Sequence, residues 1–220
     1  MARFARIVVP DWPHHVTQRG NRREPIFFKD GDQEIYRDLL AEQLQKARAE
    51  VWAYCLMPNH VHLIVVPKDE ASFARGIGEA HRRYTNFINA RGRWTGHLFQ
   101  SRFASVVMDG AHFITGVRYV SLNPVRARLV AKAEDWPWSS VRAHLAGRDD
   151  ALVAVKPVLD VVGDFRALLA PDRADEEHFQ MVRCAERVGR PLANADFVAD
   201  LERRLGRPIA RRAPGRKRKL

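Results

Sequence analysis

Met57-Pro58-Asn59-His60-Val61-His62-Leu63-Ile64-Val65-Val66 sets two histidines two residues apart in an apolar, β-branched run that follows a Pro-Asn turn signal. β-Branched side chains fit a pleated, half-buried surface, so the run predicts a strand. Successive side chains in a strand point to opposite faces, which puts His60 and His62 on one face and Val61, Leu63 and Val65 on the other. Two residues of strand rise span about 6.7 Å. Two imidazoles close that gap around one cation when metal–nitrogen distances are ~2.1 Å. A lone strand histidine is ordinarily just a half-buried polar residue. The pair is a candidate metal site only if a third group elsewhere matches it.

Outward from this strand, Val51 to Met57 is a second apolar run, and the tight Pro58-Asn59 turn predicts an antiparallel hairpin. His14 to Gly20 reads as an earlier strand closed by Gly20-Asn21. A helix is expected from Gln33 to Ala49, capped by Asp30 or Asp32, with Ile35, Leu39, Leu40 and Leu44 as its apolar stripe. Ser72 is expected to cap a second helix, Phe73 to Ala90, ended by Gly92. Phe103 to Met108 reads as a fourth strand. A helix from Ala111 to Leu122 follows, stopped by Pro124. This order predicts an α+β fold: a ferredoxin-like antiparallel sheet with packed helices plus one added helix. Ser139 is expected to cap a short helix through Leu145. Beyond about residue 150 the pattern is helical, with breaks at Pro157, Pro171, Gly189-Arg190-Pro191 and Gly206-Arg207-Pro208. The expected division is a catalytic domain over 1–148, a helical extension over 149–210 and a basic disordered tail over 211–220.

The 220 residues carry a net charge of +11, with 46% hydrophobic and 29% charged residues. A core is affordable in that composition, and the charge points to a polyanion, nucleic acid before membrane. The segment 211–220 holds six basic residues and no acid; without it, 31 basic residues face 26 acidic ones. The folded part is only moderately basic, so its excess must lie in local patches. Cys55 and Cys184 are far apart and lack metal spacing, which suits a reducing, cytoplasmic setting. No signal-peptide pattern is expected at the N-terminus, and no apolar run reaches the length of a membrane span.

The candidate third group lies in Arg118-Tyr119-Val120-Ser121-Leu122-Asn123-Pro124-Val125-Arg126. Tyr119 and Asn123 are four apart and share a helix face, beside the core stripe of Phe113, Val117 and Val120. The Asn123 amide offers a hard oxygen ligand. With His15-Val16-Thr17-Gln18-Arg19-Gly20-Asn21, Gly96-His97-Leu98-Phe99-Gln100-Ser101-Arg102-Phe103 and Trp136-Pro137-Trp138-Ser139-Ser140, these blocks resemble the HUH single-tyrosine transposases, specifically the REP-associated tyrosine branch. The resemblance runs from about Phe4 to Leu145. It implies a DNA-nicking and rejoining enzyme acting on single-stranded DNA beside hairpin-forming repeats. It further implies that His60, His62 and Asn123 bind Mg²⁺ or Mn²⁺. Tyr119 would then attack a phosphate to give a 5′-phosphotyrosine. A monomer using its own tyrosine, and a bacterial, nucleoid-associated location, follow from the same resemblance.

The chemistry is coherent on its own terms. A tyrosine pKa near ~10 makes ionisation at pH 7 cost about 4 kcal/mol. A divalent cation offsets the charge that grows on a phosphodiester in the transition state. A covalent intermediate keeps the bond for later joining. Tyr84, beside Arg82 and Arg83, is a rival nucleophile whose spacing with Ile77, Ala80 and Ile88 favours packing. Tyr36 and Tyr54 have no evident polar company. His112, two turns before Tyr119, is a weaker site candidate. Arg19, Arg22, Arg23, Arg82, Arg83, Arg102, Arg126 and Arg128 are candidate phosphate contacts, the first three the strongest. Trp94 and Phe99 are candidates for base stacking. Trp136 and Trp138 are expected to pin the tyrosine-bearing helix to the next. Two rival functions remain: a non-catalytic binder of hairpin DNA or RNA, and a metal nuclease that uses water.

Overall fold

Four apolar runs in the first half of the chain become strands, and all four pair antiparallel in one sheet. They are β1 (His14–Arg19), β2 (Ala49–Met57), β3 (His60–Pro67) and β4 (Ala104–Val107), in spatial order β2-β3-β1-β4. The computed structural model describes residues 6–210, so the basic tail expected over 211–220 lies outside the described residues. Helix α1 (Asp32–Lys46) links β1 to β2, and α2 (Glu79–Gly92) links β3 to β4. This is the ferredoxin-like α+β arrangement that the element order predicts.

β3 lies inside the sheet and is buried along nearly its whole length. Val61, Leu63 and Val65 pack with Leu40, Leu44, Ile77 and Tyr84 under α1 and α2. Ile64 points the other way, into a second core with Phe113, Val117 and Val120 of α3 (Gly110–Arg126). Each fully buried aliphatic contributes roughly 1.5–3 kcal/mol. The aliphatics of β3 therefore anchor the strand firmly enough to carry a buried imidazole between them. After α4 (Val141–Ala146), α5 (Lys156–Val162) and α6 (Phe165–Leu168), helix α7 (Asp175–Val188) lays Phe179 and Val182 into the α3 core. Helix α8 (Ala195–Leu205) buries Leu201 against Ile7 and Val9.

Several element boundaries differ from expectation, each for a local reason. Helix α1 ends at Lys46, and Ala49 already belongs to β2. Neither Asp30 nor Asp32 caps α1; Gly31 holds that place at φ 90°. Asp32 instead accepts from the Phe28 and Lys29 amides and pairs with Arg91, tying α1 to the end of α2. The Ser72 hydroxyl accepts from the Asp69 amide, and the second helix opens with a π segment, Ala74–Gly78. Pro124 does not stop α3, which runs on to Arg126. Ser140, not Ser139, precedes α4; its hydroxyl accepts from the Tyr54 amide. Pro157 starts α5 rather than breaking it, since its missing N–H falls where no helical partner exists. Trp136 donates to Leu56 O and the Leu56 amide donates to Trp138 O, so this segment fastens to β2 as well as to the α3 core.

Candidate active site

The sheet register builds the site. β1 and β3 pair with Thr17 opposite His62 and Arg19 opposite His60. The face that carries His60 and His62 therefore also carries His15, Thr17 and Arg19. α3 crosses this face and brings Tyr119 and Asn123, both buried, up to the histidines. The Tyr119 ring meets the His62 ring edge-on at 5.4 Å between centroids and the His15 ring at 5.7 Å. Asn123 Nδ2 donates to His62 Nε2 at 3.1 Å. His60 Nδ1 donates to Asn59 Oδ1 at 2.6 Å, which leaves the lone pair of the neutral ring on Nε2.

A cleft of about 660 Å³ opens over this cluster. Tyr119 and His60 line it together with Arg19, Arg23 and Arg102, and α7 contributes Arg183, Glu186 and Arg187. Burial, aided by Arg19, lowers His60 to about 4. Burial chiefly, then His60 and His15, hold His62 well below its ordinary value. Both imidazoles are thus neutral at pH 7, with lone pairs to give. Burial, then the Glu186 carboxylate, push the Tyr119 hydroxyl up to about 12, although Arg126 and Arg183 pull the other way. Burial raises Glu186 to about 7, against Arg19 and Arg183.

Two neutral imidazoles and an amide make a donor set that a hard divalent cation accepts. His60 Nε2 is free for such a cation because Asn59 occupies the other nitrogen. The Asn123 amide presents oxygen in place of nitrogen by a half-turn. Among the described residues, His15, His62 and Glu186 also gather ligand atoms within 4.8 Å of one another.

A profile of the family described as "Transposase IS200 like" matches residues 9–123. The chain belongs to the IS200-like transposases. The REP-associated tyrosine transposase of Escherichia coli K12 is 24% identical over 98 residues, covering 44% of this chain and 57% of that one. A Haemophilus influenzae relative, named for the same REP-associated tyrosine transposases, is 26% identical over 102 residues, 41% of this chain and 58% of its own. The IS200-like chain thus spans less than two thirds of the curated relatives it matches. A REP-associated tyrosine transposase solved bound to a REP hairpin shares the fold, with TM-score 0.58 and 21% identity over 79% of this chain and 96% of that one.

The other candidates of this IS200-like transposase fall at different places. Arg82 lines an adjoining groove with His97, Phe99 and Phe103, and pairs with Glu79. Arg83 pairs with Glu42, away from the cleft. Arg126 sits over the Tyr119 ring at 5.5 Å and pairs with Glu176. Arg22 and Arg128 are exposed on turns. Tyr84 is buried and donates to Ile26 O, a packing role. Contrary to expectation, Tyr36 and Tyr54 have polar partners: Tyr36 shares a 2.7 Å hydrogen bond with His81, and Tyr54 donates to Asp150. His112 bonds Asp109 at the start of α3 and stays out of the site. Trp94 is 52% exposed against Phe28, whereas Phe99 is core. No helix among the described residues is long and apolar enough to cross a membrane.

The sequence reading missed His15 and the α7 residues. His15 was legible as a histidine alternating with Thr17 and Arg19 on one strand face. Glu186 carried a weaker signal, an acid at i+7 from Phe179 and i+4 from Val182, on the buried stripe of an amphipathic helix.

Proposed function

We propose that this chain is a metal-dependent endonuclease and strand transferase for single-stranded DNA, cutting beside hairpin-forming repeats through a phosphotyrosine at Tyr119. The observation that carries the proposal is a cleft that Tyr119 and His60 line with Arg19, Arg23 and Arg102, with His62 and Asn123 packed directly behind them. The hairpin partner is drawn from the relative solved with a REP hairpin. Residues 1–148 form the catalytic domain in this proposal, and the extension over 149–210 lends α7 to its cleft.

The arginines hold the backbone phosphates by charge-assisted hydrogen bonds. His60, His62 and Asn123 would hold Mg²⁺ or Mn²⁺, and a cation there would supply positive charge against the charge that grows on the phosphate. The Tyr119 oxygen attacks phosphorus; the P–O bond to tyrosine forms as the bond to the 3′ oxygen breaks. The leaving strand ends in a 3′-OH, and another 3′-OH reverses the step. A hydroxyl near 12 lies five pH units above neutral, so full ionisation beforehand costs roughly 7 kcal/mol. A cation held beside Tyr119 would lower that cost, and the proton that the phenol gives up is matched by the one that the departing 3′ oxygen gains. Tyr119 reaches His62 within one chain, so catalysis in cis needs no second copy.

The test is incubation of the full chain with labelled single-stranded hairpins from the DNA flanking its own gene, with Mn²⁺, followed by a denaturing gel. A covalent protein–DNA band supports the proposal. Cleavage without a band means a water nuclease, and binding without cleavage means a non-catalytic binder.

A further inference from the structure

The groove that adjoins the cleft measures about 680 Å³ and runs between α2 and the end of β1. It belongs to the other face of the sheet. Gln18 pairs with Val61, so its side chain stands with the α1 and α2 core, one pleat away from Thr17 and Arg19. The two cavities are nonetheless continuous, because Gln18, Gln100, Ser101 and Arg102 line both. A ligand that occupies both passes round the end of the sheet. The floor of the groove is aromatic: Phe99 and Phe103 lie 4.7 and 6.0 Å from the His81 ring, between centroids.

Two polar side chains of this groove, Gln18 and His81, are each only 6% exposed and yet incompletely bonded. Gln18 Nε2 donates to Ser101 O at 2.9 Å, which fixes the amide; Oε1 has no partner among the described residues. His81 shares a 2.7 Å hydrogen bond with Tyr36 through Nε2, and its Nδ1 has no partner there either. Burial keeps Tyr36 a phenol, raised well above its ordinary value. That sealed hydroxyl proton needs an acceptor, and His81 Nε2 is the atom within reach. Burial, then Arg6, lower His81 to about 3, so the ring is neutral and its own hydrogen sits on Nδ1. The wall therefore offers an acceptor at Gln18 and a donor at His81. By contrast, the buried His144 closes both ring nitrogens on carbonyl oxygens. A donor beside an acceptor is the complement of the edge of an unpaired nucleobase.

Charge points the same way. Arg6 and Arg102 line this groove, and among the described residues no carboxylate pairs with either. Arg6 lies over the Phe103 ring at 3.6 Å and donates to Phe103 O. Burial, then the neighbouring Arg102 cation, lower Arg6 to about 10. Two guanidinium groups held close without a carboxylate suit a phosphate. We propose that the groove is a nucleotide pocket: one unpaired nucleotide of the strand in the cleft turns round the end of β1, with its base edge on Gln18 and His81 and its phosphate on Arg6 and Arg102. This rests on the single-stranded DNA reading of the proposed function. The arginines anchor the strand without choosing a sequence; Gln18 and His81 read the base.

The experiment measures binding of the full chain, by fluorescence anisotropy in EDTA, to labelled single-stranded hairpins that keep their unpaired flanks, taken from the DNA beside its own gene. Each flank nucleotide is made abasic in turn. Expected in the wild type is one position where the abasic change weakens binding about fivefold or more, as for one held base. Expected in Gln18→Ala and in His81→Phe is a penalty below about twofold at that position, with the other positions unchanged. A wild type with no sensitive position overturns the proposal, as does a sensitive position that keeps its full penalty in Gln18→Ala. Should His81→Phe fail to fold, because it leaves the Tyr36 hydroxyl unpartnered, Gln18→Ala decides alone. A wild type that binds none of these strands defeats the proposed function and the pocket together. Binding and adduct formation without a sensitive position defeat the pocket alone.

Discussion

The two faces of the sheet are built from the same strands and do different work. The face under α1 and α2 is apolar along β3, through Val61, Leu63 and Val65. The opposite face is interrupted by His15, His60 and His62. β1 makes the contrast sharpest, because His14 and His15 are adjacent, fully buried and both lowered to about 3 by burial. His14 lies on the apolar face with both nitrogens satisfied: Nε2 accepts from the Val9 amide and Nδ1 donates to Trp12 O. His15, one pleat away, has one nitrogen against His62 and the other unpartnered. Burial and charge state do not separate these two histidines. What separates them is whether its hydrogen bonds close locally or lead on to another titratable group.

The contrast breaks most severely at the proposed nucleophile. Tyr119→Phe should abolish the covalent DNA adduct, a loss on the order of 10³-fold or more. Hairpin affinity, measured by gel shift, should change less than about twofold because the arginines remain. An adduct that persists would move the nucleophile elsewhere. Next in size, His60→Ala should lower Mn²⁺-dependent cleavage by roughly 100-fold or more while the melting temperature stays near that of the wild type. Undiminished cleavage at matched Mn²⁺ would remove His60 from the ligand set.

On the apolar face the expectation is reversed. Leu63→Ala should cost about 3 kcal/mol of unfolding free energy in urea, within the usual range for a buried leucine. Single-turnover cleavage by the folded fraction should be unchanged, and a rate loss there would show that the two faces are coupled. The gentlest probe is pH. His14 and His81 are both lowered to about 3 by burial. Below pH 6.5 the unfolded chain binds protons that the folded chain refuses, so this stability is complete above 6.5 and is lost as pH falls toward 3. Each group contributes a slope of at most about 1.4 kcal/mol per pH unit in that window. Denaturation midpoints that stay flat between pH 7 and 5 would contradict it.

Much of this was legible in the residues because it rests on short-range periodicity. Alternation in Val61-His62-Leu63 and the Pro58-Asn59 turn give β2, β3 and their pairing. The four-residue spacing gives Tyr119 and Asn123 one helix face. What escaped depends on distance. Asp32 looked like a cap, yet it serves Arg91 at the far end of another helix. Pro124 looked like a stop, yet α3 runs two residues past it to Arg126. Glu186 meets His15 across 171 positions of chain, and no local pattern encodes which strand face a distant helix will cover.

Arg22 and Arg23 adopt left-handed backbone angles in succession, φ 52° and 65°. Glycine and asparagine occupy such angles most easily. Arg23 lines the cleft from there and Arg22 is exposed beside it, on the short turn that leads out of β1. Backbone comfort and cargo disagree at these two positions, and the cargo has prevailed. Under the proposed function, a turn rebuilt for conformational ease would hold its shape better and grip a polyanion less.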